Sequence, residues 1–240
     1  MRTALSATAI VTALLAFAGT AAGEGKLDYE HQEKWPSALD RSQSPIDIAT
    51  AKAVPADDNE PQGLQIWRSV SPIDKVEDNG HAVQVDTHST EAMIRGRHFT
   101  LAQFHFHAES EHTIDGKHYP LEGHFVFKAQ DGRLAVVGVM YAEGNANASA
   151  QTIVDDLKPN AQPPAQQTID IGQLMPTQRG YYHYLGSLTT PPLTENVEWY
   201  VMPAPVTMSK AQIDVFISHY QRNNRKLQPL NGRPVIHYGS

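Results

Sequence analysis

Hydrophobic and polar positions alternate along short stretches of the chain, which is the spacing of β-strands whose two faces have different surroundings. These stretches are rich in Val, Ile, Phe and Tyr, and turn signals such as Asn79-Gly80 and Asp131-Gly132 separate them. The pattern predicts strands over residues 81–86, 92–95, 99–107, 123–128, 134–141 and 197–202.

Helical spacing occurs in two segments. Ser209 is a suitable N-cap for a helix whose apolar positions are Ile213, Phe216, Ile217 and Tyr220. Ser149 can begin a shorter helix that contains Ile153 and Leu157. The chain has no long linker and no repeat with a period of about 20 to 50 residues. We therefore expect one mainly β (α+β) domain, in which a few short helices surround a large, twisted, mostly antiparallel central sheet.

The N-terminal end differs from the rest of the chain. Arg2 is followed by an apolar run over residues 4–18 and then by the small residues of 19–23, which is the pattern of a secretory signal peptide. The run is shorter than the roughly 20 apolar residues that a membrane span needs, although an N-terminal anchor helix is the alternative interpretation. We expect residues 1–23 to be removed and residues 24–240 to form the domain. The mature protein would then be periplasmic or secreted, without a stable membrane anchor.

Composition narrows the chemistry that the domain can perform. The 240 residues include 12 histidines and no cysteine, which excludes thiolate nucleophiles, disulfides, cysteine-bound zinc and iron–sulfur clusters. The formal net charge is -7, and this acidic excess argues against a nucleic acid partner, because phosphate binding needs a basic surface. Any bound metal must therefore be held by His, Asp or Glu.

Candidate metal ligands lie on two of the predicted strands. Side chains two residues apart on a strand share a face, so Gln103, His105 and His107 point to one side, and Glu122 and His124 share a face of the other strand. If the two strands pair, three imidazoles can converge on one point. Three neutral imidazoles suit zinc and leave a fourth tetrahedral position for water. Gln103 and Glu122 can each hydrogen-bond the ring nitrogen that does not bind metal.

The alternative is that these are ordinary structural histidines. Among 12 histidines, one His-x-His pair can arise by chance. The third histidine, with a glutamate at the correct spacing on its own strand, favours a metal site. The His-Glu-x-x-His, Gly-x-Ser-x-Gly and P-loop motifs are absent from the sequence, so no helix-borne metalloprotease site, serine hydrolase elbow or phosphate loop is indicated.

Four separated motifs then resemble one family. Residues 103–124 resemble the active-site signature of the α-class carbonic anhydrases, and residues 43–48, 79–81 and 186–192 match three further family motifs in the same order. The resemblance runs from about residue 29 to residue 237, which is nearly the whole predicted domain. The compact spacing between His107 and His124 resembles the bacterial members.

The resemblance implies a role for individual residues. His105, His107 and His124 would be the ligands of a zinc ion. Thr189 would accept a hydrogen bond from zinc-bound hydroxide and would donate one to Glu111. In isolation, Glu111 can equally be a surface acid.

Further roles follow from the same resemblance. Thr190 would contact bicarbonate, and His81 would carry protons between the site and buffer, since imidazole changes its charge near neutral pH. Tyr29 would organise water in the site, although Leu27 stands where relatives commonly have tryptophan. The apolar wall that holds carbon dioxide would consist of Val126, Val136, Leu188, Val197 and Trp199.

The implied activity is the reversible hydration of carbon dioxide to bicarbonate and a proton, by a monomer or homodimer. The alternatives are a zinc-dependent esterase and a catalytically silent, carbonic anhydrase-like binding module. Silent relatives typically lose a zinc histidine, whereas this chain keeps all three. Many bacterial relatives also carry a disulfide between the segment before Gln43 and the loop after Pro192. Without cysteine, we expect packing to hold that loop.

Overall fold

The computed structural model describes residues 27–36, 39, 41–57 and 63–239, so the predicted signal peptide lies outside the described residues. The first seven strands are β1 Asp47–Ile48, β2 Val54–Pro55, β3 Gln65–Trp67, β4 Val70–Asp78, β5 Val83–Thr87, β6 Glu91–Ile94 and β7 Arg97–His107. The others are β8 Thr113–Ile114, β9 Leu121–Lys128, β10 Leu134–Glu143, β11 Thr168–Asp170, β12 Tyr181–Ser187, β13 Glu195–Met208 and β14 Ile236–Tyr238. The α-helices are α1 Ala148–Asp156 and α2 Lys210–His219.

One 12-stranded sheet forms the centre of the domain, in the order β11-β4-β5-β7-β9-β10-β13-β12-β14-β2, with β6 on β7 and β3 on β6. Most neighbours are antiparallel, whereas β10 with β13 and β14 with β2 run parallel. The remaining strands, β1 and β8, form a small parallel pair. The expected large, mostly antiparallel sheet is confirmed. Among the described residues, no helix is long and apolar enough to cross a membrane.

All six predicted strands are present, but their bounds differ from the prediction. The first begins at Val83 rather than residue 81, and the last is the centre of the longer β13. Of the described strands that the sequence pattern missed, β4 and β12 are the longest, and they were missed for different reasons. Except at the exposed Leu185, β12 is buried on both faces and therefore shows no alternation, whereas β4 has an irregular burial pattern.

The two predicted helices are present, and one of them has a different start. Ser209 caps α2, and Gln212 completes a reciprocal capping box with it. In α1 the cap is Asn147, whose side chain accepts a hydrogen bond from the Ala150 N–H. The prediction that Ser149 begins this helix is therefore wrong. Ser149 lies in the first turn, and its hydroxyl donates to the Asp170 carbonyl.

The sheet separates two apolar clusters. The larger one covers one face and includes side chains of both helices, with β7 and β9 contributing Phe104, Phe106, Phe125 and Phe127. The second lies on the other face, where Val136, Tyr184 and Trp199 pack together. Alternation along β7 and β9 therefore places phenylalanines in the main core and the candidate ligands on the opposite face.

A β-bulge in β7 makes this separation possible. Its pairing with β9 shifts register between Leu101 and Gln103. Leu101 therefore shares the main core with Phe104 and Phe106, although simple alternation would place it on the face of His105. The bulge reverses which residues face the core, so that the second half of β7 can present histidines while both halves bury apolar side chains.

Candidate metal centre and active site

Pairing of β7 with β9 brings the three candidate ligands together. The two strands are antiparallel neighbours, and His105 lies directly opposite His124. Ligand nitrogens of His105, His107 and His124 all lie within 4.8 Å of one another. The two strands therefore pair, as convergence of the three imidazoles requires, and the imidazoles do converge.

A fixed hydrogen-bond acceptor orients each ring of β7. The Nδ1 atom of His105 is 2.9 Å from Oε1 of Gln103, and Nδ1 of His107 is 2.7 Å from the Asn223 carbonyl oxygen. Nε2 of His107 is buried and has no hydrogen-bond partner among the described residues. Burial lowers the pKa of both histidines. Both rings therefore favour the neutral form, with Nε2 available to a metal.

His124 presents its other nitrogen because Glu122 holds Nε2. Oε1 of Glu122 lies 3.0 Å from Nε2 of His124 and 2.8 Å from Nδ1 of His112, while Oε2 accepts the His112 backbone N–H at 2.8 Å. Although burial opposes protonation, the Glu122 carboxylate raises the pKa of His124. A Cβ at Gly138 would lie 2.8 Å from Oε1 of Glu122, so only glycine leaves room for this carboxylate.

A buried polar chain continues behind Glu122, and the sequence pattern does not predict it. Nε2 of His112 is 2.6 Å from the Tyr184 hydroxyl, which donates to the Ser44 hydroxyl at 2.8 Å. The Ser187 backbone N–H also donates to this serine at 3.1 Å. Ser44 lies within one of the motifs that carry the resemblance, which was the available signal. His112 also lies within such a motif, residues 103–124, whereas Tyr184 gives no local sequence signal for this role.

Glu111 lies beside the candidate ligands. Its Oε1 accepts the Arg225 backbone N–H at 2.7 Å, and its Oε2 is 3.9 Å from Nδ1 of His124. Oε2 is buried without a hydrogen-bond partner in the described part of the chain, so the expected bond from Thr189 is not formed in this structure. Thr189 itself is 5% exposed. Glu111 is therefore a buried carboxylate in the site rather than a surface acid.

The residues of the expected apolar wall lie together. Val136 on β10 is opposite Val126 on one side and Trp199 on the other. The Trp199 ring is 4.8 Å from the His124 ring, measured between centroids, so the wall adjoins the candidate ligands. All five belong to or pack against the second apolar cluster, namely Val126, Val136, Leu188, Val197 and Trp199.

His81 and Tyr29 lie on two separate loops. The His81 backbone carbonyl accepts a hydrogen bond from the Asn223 side chain at 3.0 Å. The backbone carbonyl of the same asparagine binds Nδ1 of His107. Nδ1 of His81 is buried and bonds to none of the described residues. The Tyr29 hydroxyl is likewise buried and unbonded within the described ranges, and burial together with the Glu111 charge raises its pKa.

The donor set fits a zinc ion. Three nitrogen ligands with one unpartnered, buried Nε2 match the requirement of a tetrahedral site that keeps one position open. A second group of metal-ligating side chains, His112, Glu122 and His124, also lies within 4.8 Å. Its facing atoms hydrogen-bond one another, so these residues support the first group rather than form another metal site.

Comparisons with known proteins agree with this geometry. A family model described as eukaryotic-type carbonic anhydrase matches residues 28–239. The chain is 42% identical over 201 residues to a carbonic anhydrase of Pectobacterium atrosepticum, covering 82% of this chain and 80% of that protein.

Two solved structures are similar over most of their length. The α-carbonic anhydrase of Thermovibrio ammonificans, solved with the inhibitor sulfanilamide, has a TM-score of 0.73 at 40% identity, covering 82% of this chain and 87% of that one. The Photobacterium profundum α-carbonic anhydrase has a TM-score of 0.74 at 36% identity, covering 83% and 90%. The chain belongs to the eukaryotic-type, or alpha, carbonic anhydrase family.

Proposed function

We propose that this chain is a zinc enzyme that catalyses the reversible hydration of carbon dioxide to bicarbonate and a proton. The observation that carries the proposal is the convergence of His105, His107 and His124, each with its second ring nitrogen held by a fixed acceptor. The adjoining apolar wall supplies a surface for a small nonpolar substrate.

The three histidines would hold the zinc ion through Nε2 of His105, Nε2 of His107 and Nδ1 of His124. Zinc would supply Lewis acidity, which lowers the pKa of a coordinated water towards neutrality. Because the ligands are neutral imidazoles, they leave the positive charge of the metal largely undiminished. Gln103, the Asn223 carbonyl and Glu122 would keep the rings in the required tautomers.

Thr189 and Glu111 would orient the attacking oxygen. The free Oε2 of Glu111 is an acceptor without a donor among the described residues, and the Thr189 hydroxyl is the donor that we assign to it. With its proton committed to Glu111, the threonine oxygen can only accept from the attacking water, whose lone pair then faces the substrate. Thr190 would contact the bicarbonate product beside the apolar wall.

Proton removal is assigned to His81. An imidazole can accept a proton from the site and release it to buffer near neutral pH. The backbone of His81 is tied to the site, because its carbonyl accepts from the Asn223 side chain and the Asn223 carbonyl lies 2.7 Å from Nδ1 of His107, and this supports the assignment. Tyr29, whose raised pKa keeps its hydroxyl protonated, would hold water between the site and His81.

Stopped-flow hydration of carbon dioxide, measured beside hydrolysis of an activated ester on the same zinc-quantified sample, tests the proposal. We expect rapid hydration that disappears when a chelator removes zinc and returns when zinc is restored. Ester hydrolysis without hydration would favour the esterase, and a zinc-loaded protein inactive in both assays would favour the binding module.

Export from the cytoplasm is the corresponding proposal for location. It rests on the signal-peptide pattern of residues 1–23. N-terminal sequencing of protein recovered from the periplasmic fraction and the medium would test it, with cleavage expected near residues 21–23. An intact leader in the cytoplasmic fraction would contradict export. Mass measurement in solution would separate the monomer from the homodimer.

A further inference from the structure

The loop between β12 and β13 carries Thr189, and little within the loop fixes its shape. Two backbone bonds close it, from Leu188 N–H to the Thr194 carbonyl at 2.9 Å and from Leu193 N–H to the Thr190 carbonyl at 3.0 Å. Leu193 has a φ of 59°, in the left-handed region that bulky residues rarely adopt. Such a conformation persists where the surroundings over-determine it, so contacts from outside must hold the loop.

Gln43, on the segment before β1, supplies one of these contacts. Its side chain is buried, and its Nε2 lies 3.2 Å from the Leu193 carbonyl oxygen and 3.1 Å from Oε1 of Glu195. The amide oxygen of Gln43 accepts a hydrogen bond from Nη1 of Arg225 at 2.8 Å. One side chain therefore touches the strained residue of the loop, the first residue of β13 and an arginine on the C-terminal segment.

Glu195 anchors Gln43 and the residues before it. Oε1 of Glu195 accepts the backbone N–H groups of Arg41 at 3.0 Å and Ser42 at 2.8 Å, in addition to the Gln43 amide. Although burial opposes ionisation, the bonds from Ser42, Gln43 and Arg41 lower the pKa of Glu195. Hydrogen bonds to an ionised acceptor are stronger than neutral ones, so the carboxylate ties this segment to the end of the loop.

The same glutamine reaches Glu111 through Arg225. Nη1 of Arg225 also donates to the Ser44 carbonyl at 2.6 Å, while the Arg225 backbone N–H donates to Oε1 of Glu111 at 2.7 Å. Gln43 thus lies between the loop that carries Thr189 and the residue that holds Glu111. Its amide nitrogen contacts the loop of Thr189, and its amide oxygen contacts Arg225, whose backbone binds Glu111.

We propose that Gln43 and Glu195 act together as positioning residues, a clamp that sets the Thr189 loop relative to Glu111. The role rests on the proposed function. Neither clamp residue need touch substrate, because an error of about 1 Å in the placement of an orienting group can cost on the order of a hundredfold in rate. The clamp also joins two segments that lie 152 residues apart, without a covalent bond.

Amide hydrogen exchange tests whether the clamp holds the loop, independently of activity. In Glu195→Ala, we expect the Leu188 and Leu193 amides to exchange about tenfold faster, since Gln43, which holds the Leu193 carbonyl, loses its hydrogen bond to a charged group. The matched control is Glu198→Ala on the same strand, whose carboxylate binds Arg133 instead. Unchanged exchange at both loop amides in Glu195→Ala would overturn the proposal. Glu195→Gln, which keeps the shape, serves if the alanine variant does not fold.

A double-mutant cycle tests whether the clamp acts through Thr189. We expect Glu195→Ala to lower kcat about tenfold in the wild-type background, with unchanged zinc content, and to have little further effect when Thr189→Ala is already present. Gln43→Met should behave in the same way. Fully additive losses would overturn the positioning role. If the wild type shows no hydration at all, the proposed function fails, and hydrogen exchange alone decides whether the clamp exists.

Discussion

Two walls of the site are held by different means. The strand wall consists of His105, His107 and His124 on β7 and β9, at the centre of the sheet. The loop wall consists of Leu188, Thr189 and Thr190, between β12 and β13. Each ring of the strand wall has its second nitrogen fixed by an acceptor, whereas the bond expected between the loop wall and Glu111 is not formed.

The central sheet fixes the positions of the side chains that its strands carry. Ladder hydrogen bonds with both neighbours fix β7 and β9, and the phenylalanines on their other face are packed in the main core. Sheet pairing and core packing therefore fix the backbone that carries each side chain on these strands. The loop that carries the loop wall has no such ladder. Its backbone is strained at Leu193, whose carbonyl accepts a hydrogen bond from Gln43, and Glu195 in turn binds Gln43.

The largest expected effect comes from breaking the strand wall. In His124→Ala we expect loss of zinc and of carbon dioxide hydration, while the fold is retained, because the main core lies on the other face of the sheet. The measurement is zinc stoichiometry together with circular dichroism. His98→Ala is the matched control, because His98 lies on β7 and is exposed. Full zinc content in His124→Ala would remove this histidine from the ligand set.

Breaking the loop wall should leave the metal in place. We expect Thr189→Ala to bind zinc normally and to lower kcat about a hundredfold, which is typical for removal of one preorganised hydrogen-bonding group. Thr194→Ala, an exposed position in the same loop, should change neither quantity. Loss of zinc in Thr189→Ala would contradict the assignment of metal binding to the strand wall alone.

The sequence predicted the strand wall far better than the loop wall. Alternation over residues 103–107 and 122–126 places the candidate ligands and the residues that orient them on one face, because a strand repeats every two residues. The bulge near Gln103 is not readable from this pattern. Nor is the acceptor for His107, because it is a backbone carbonyl 116 residues away.

Polar contacts between residues far apart in the sequence are the main feature of the site that the sequence pattern did not predict. The chain from His112 to Tyr184 and Ser44 joins residues that lie 72 and 140 positions apart. Hydrogen bonds of this kind depend on the register of distant strands, which no local pattern encodes. The contacts of Gln43 and Glu195 are unpredicted for the same reason. Without cysteine, packing was expected to hold the loop, and the structure adds these polar contacts to the buried Leu193.

A smaller effect should follow from removing one support of the strand wall. In Gln103→Leu, Nδ1 of His105 loses its acceptor. We expect zinc affinity to fall about tenfold, at the low end of the range for groups that orient metal ligands. Competition with a chromophoric chelator measures the affinity. Gln103→Glu keeps an acceptor oxygen and should retain more of the zinc affinity. Equal losses of affinity in both variants would contradict the orienting role of Gln103.

His81→Ala should affect neither the strand wall nor the loop wall. We expect zinc content and saturating-buffer turnover to be preserved, while turnover in weak buffer falls about tenfold, since proton transfer then limits the rate. Small imidazole buffers should restore the rate. Turnover that does not depend on buffer in the variant would refute the proton-carrying role.

The smallest expected effect is an acid-dependent weakening of the clamp. Because the pKa of Glu195 is lowered on folding, its contribution to stability is complete above the ordinary glutamate pKa of about 4.3 and is lost as pH falls through the folded value. Glu195→Gln should therefore be less stable than the wild type at pH 7 by less than about 1 kcal/mol, since the carboxylate is partly exposed. That gap, measured by urea unfolding, should narrow as pH is lowered below 4.3. A gap that does not depend on pH would mean that the charge of Glu195 contributes nothing and that the clamp is held by neutral contacts alone.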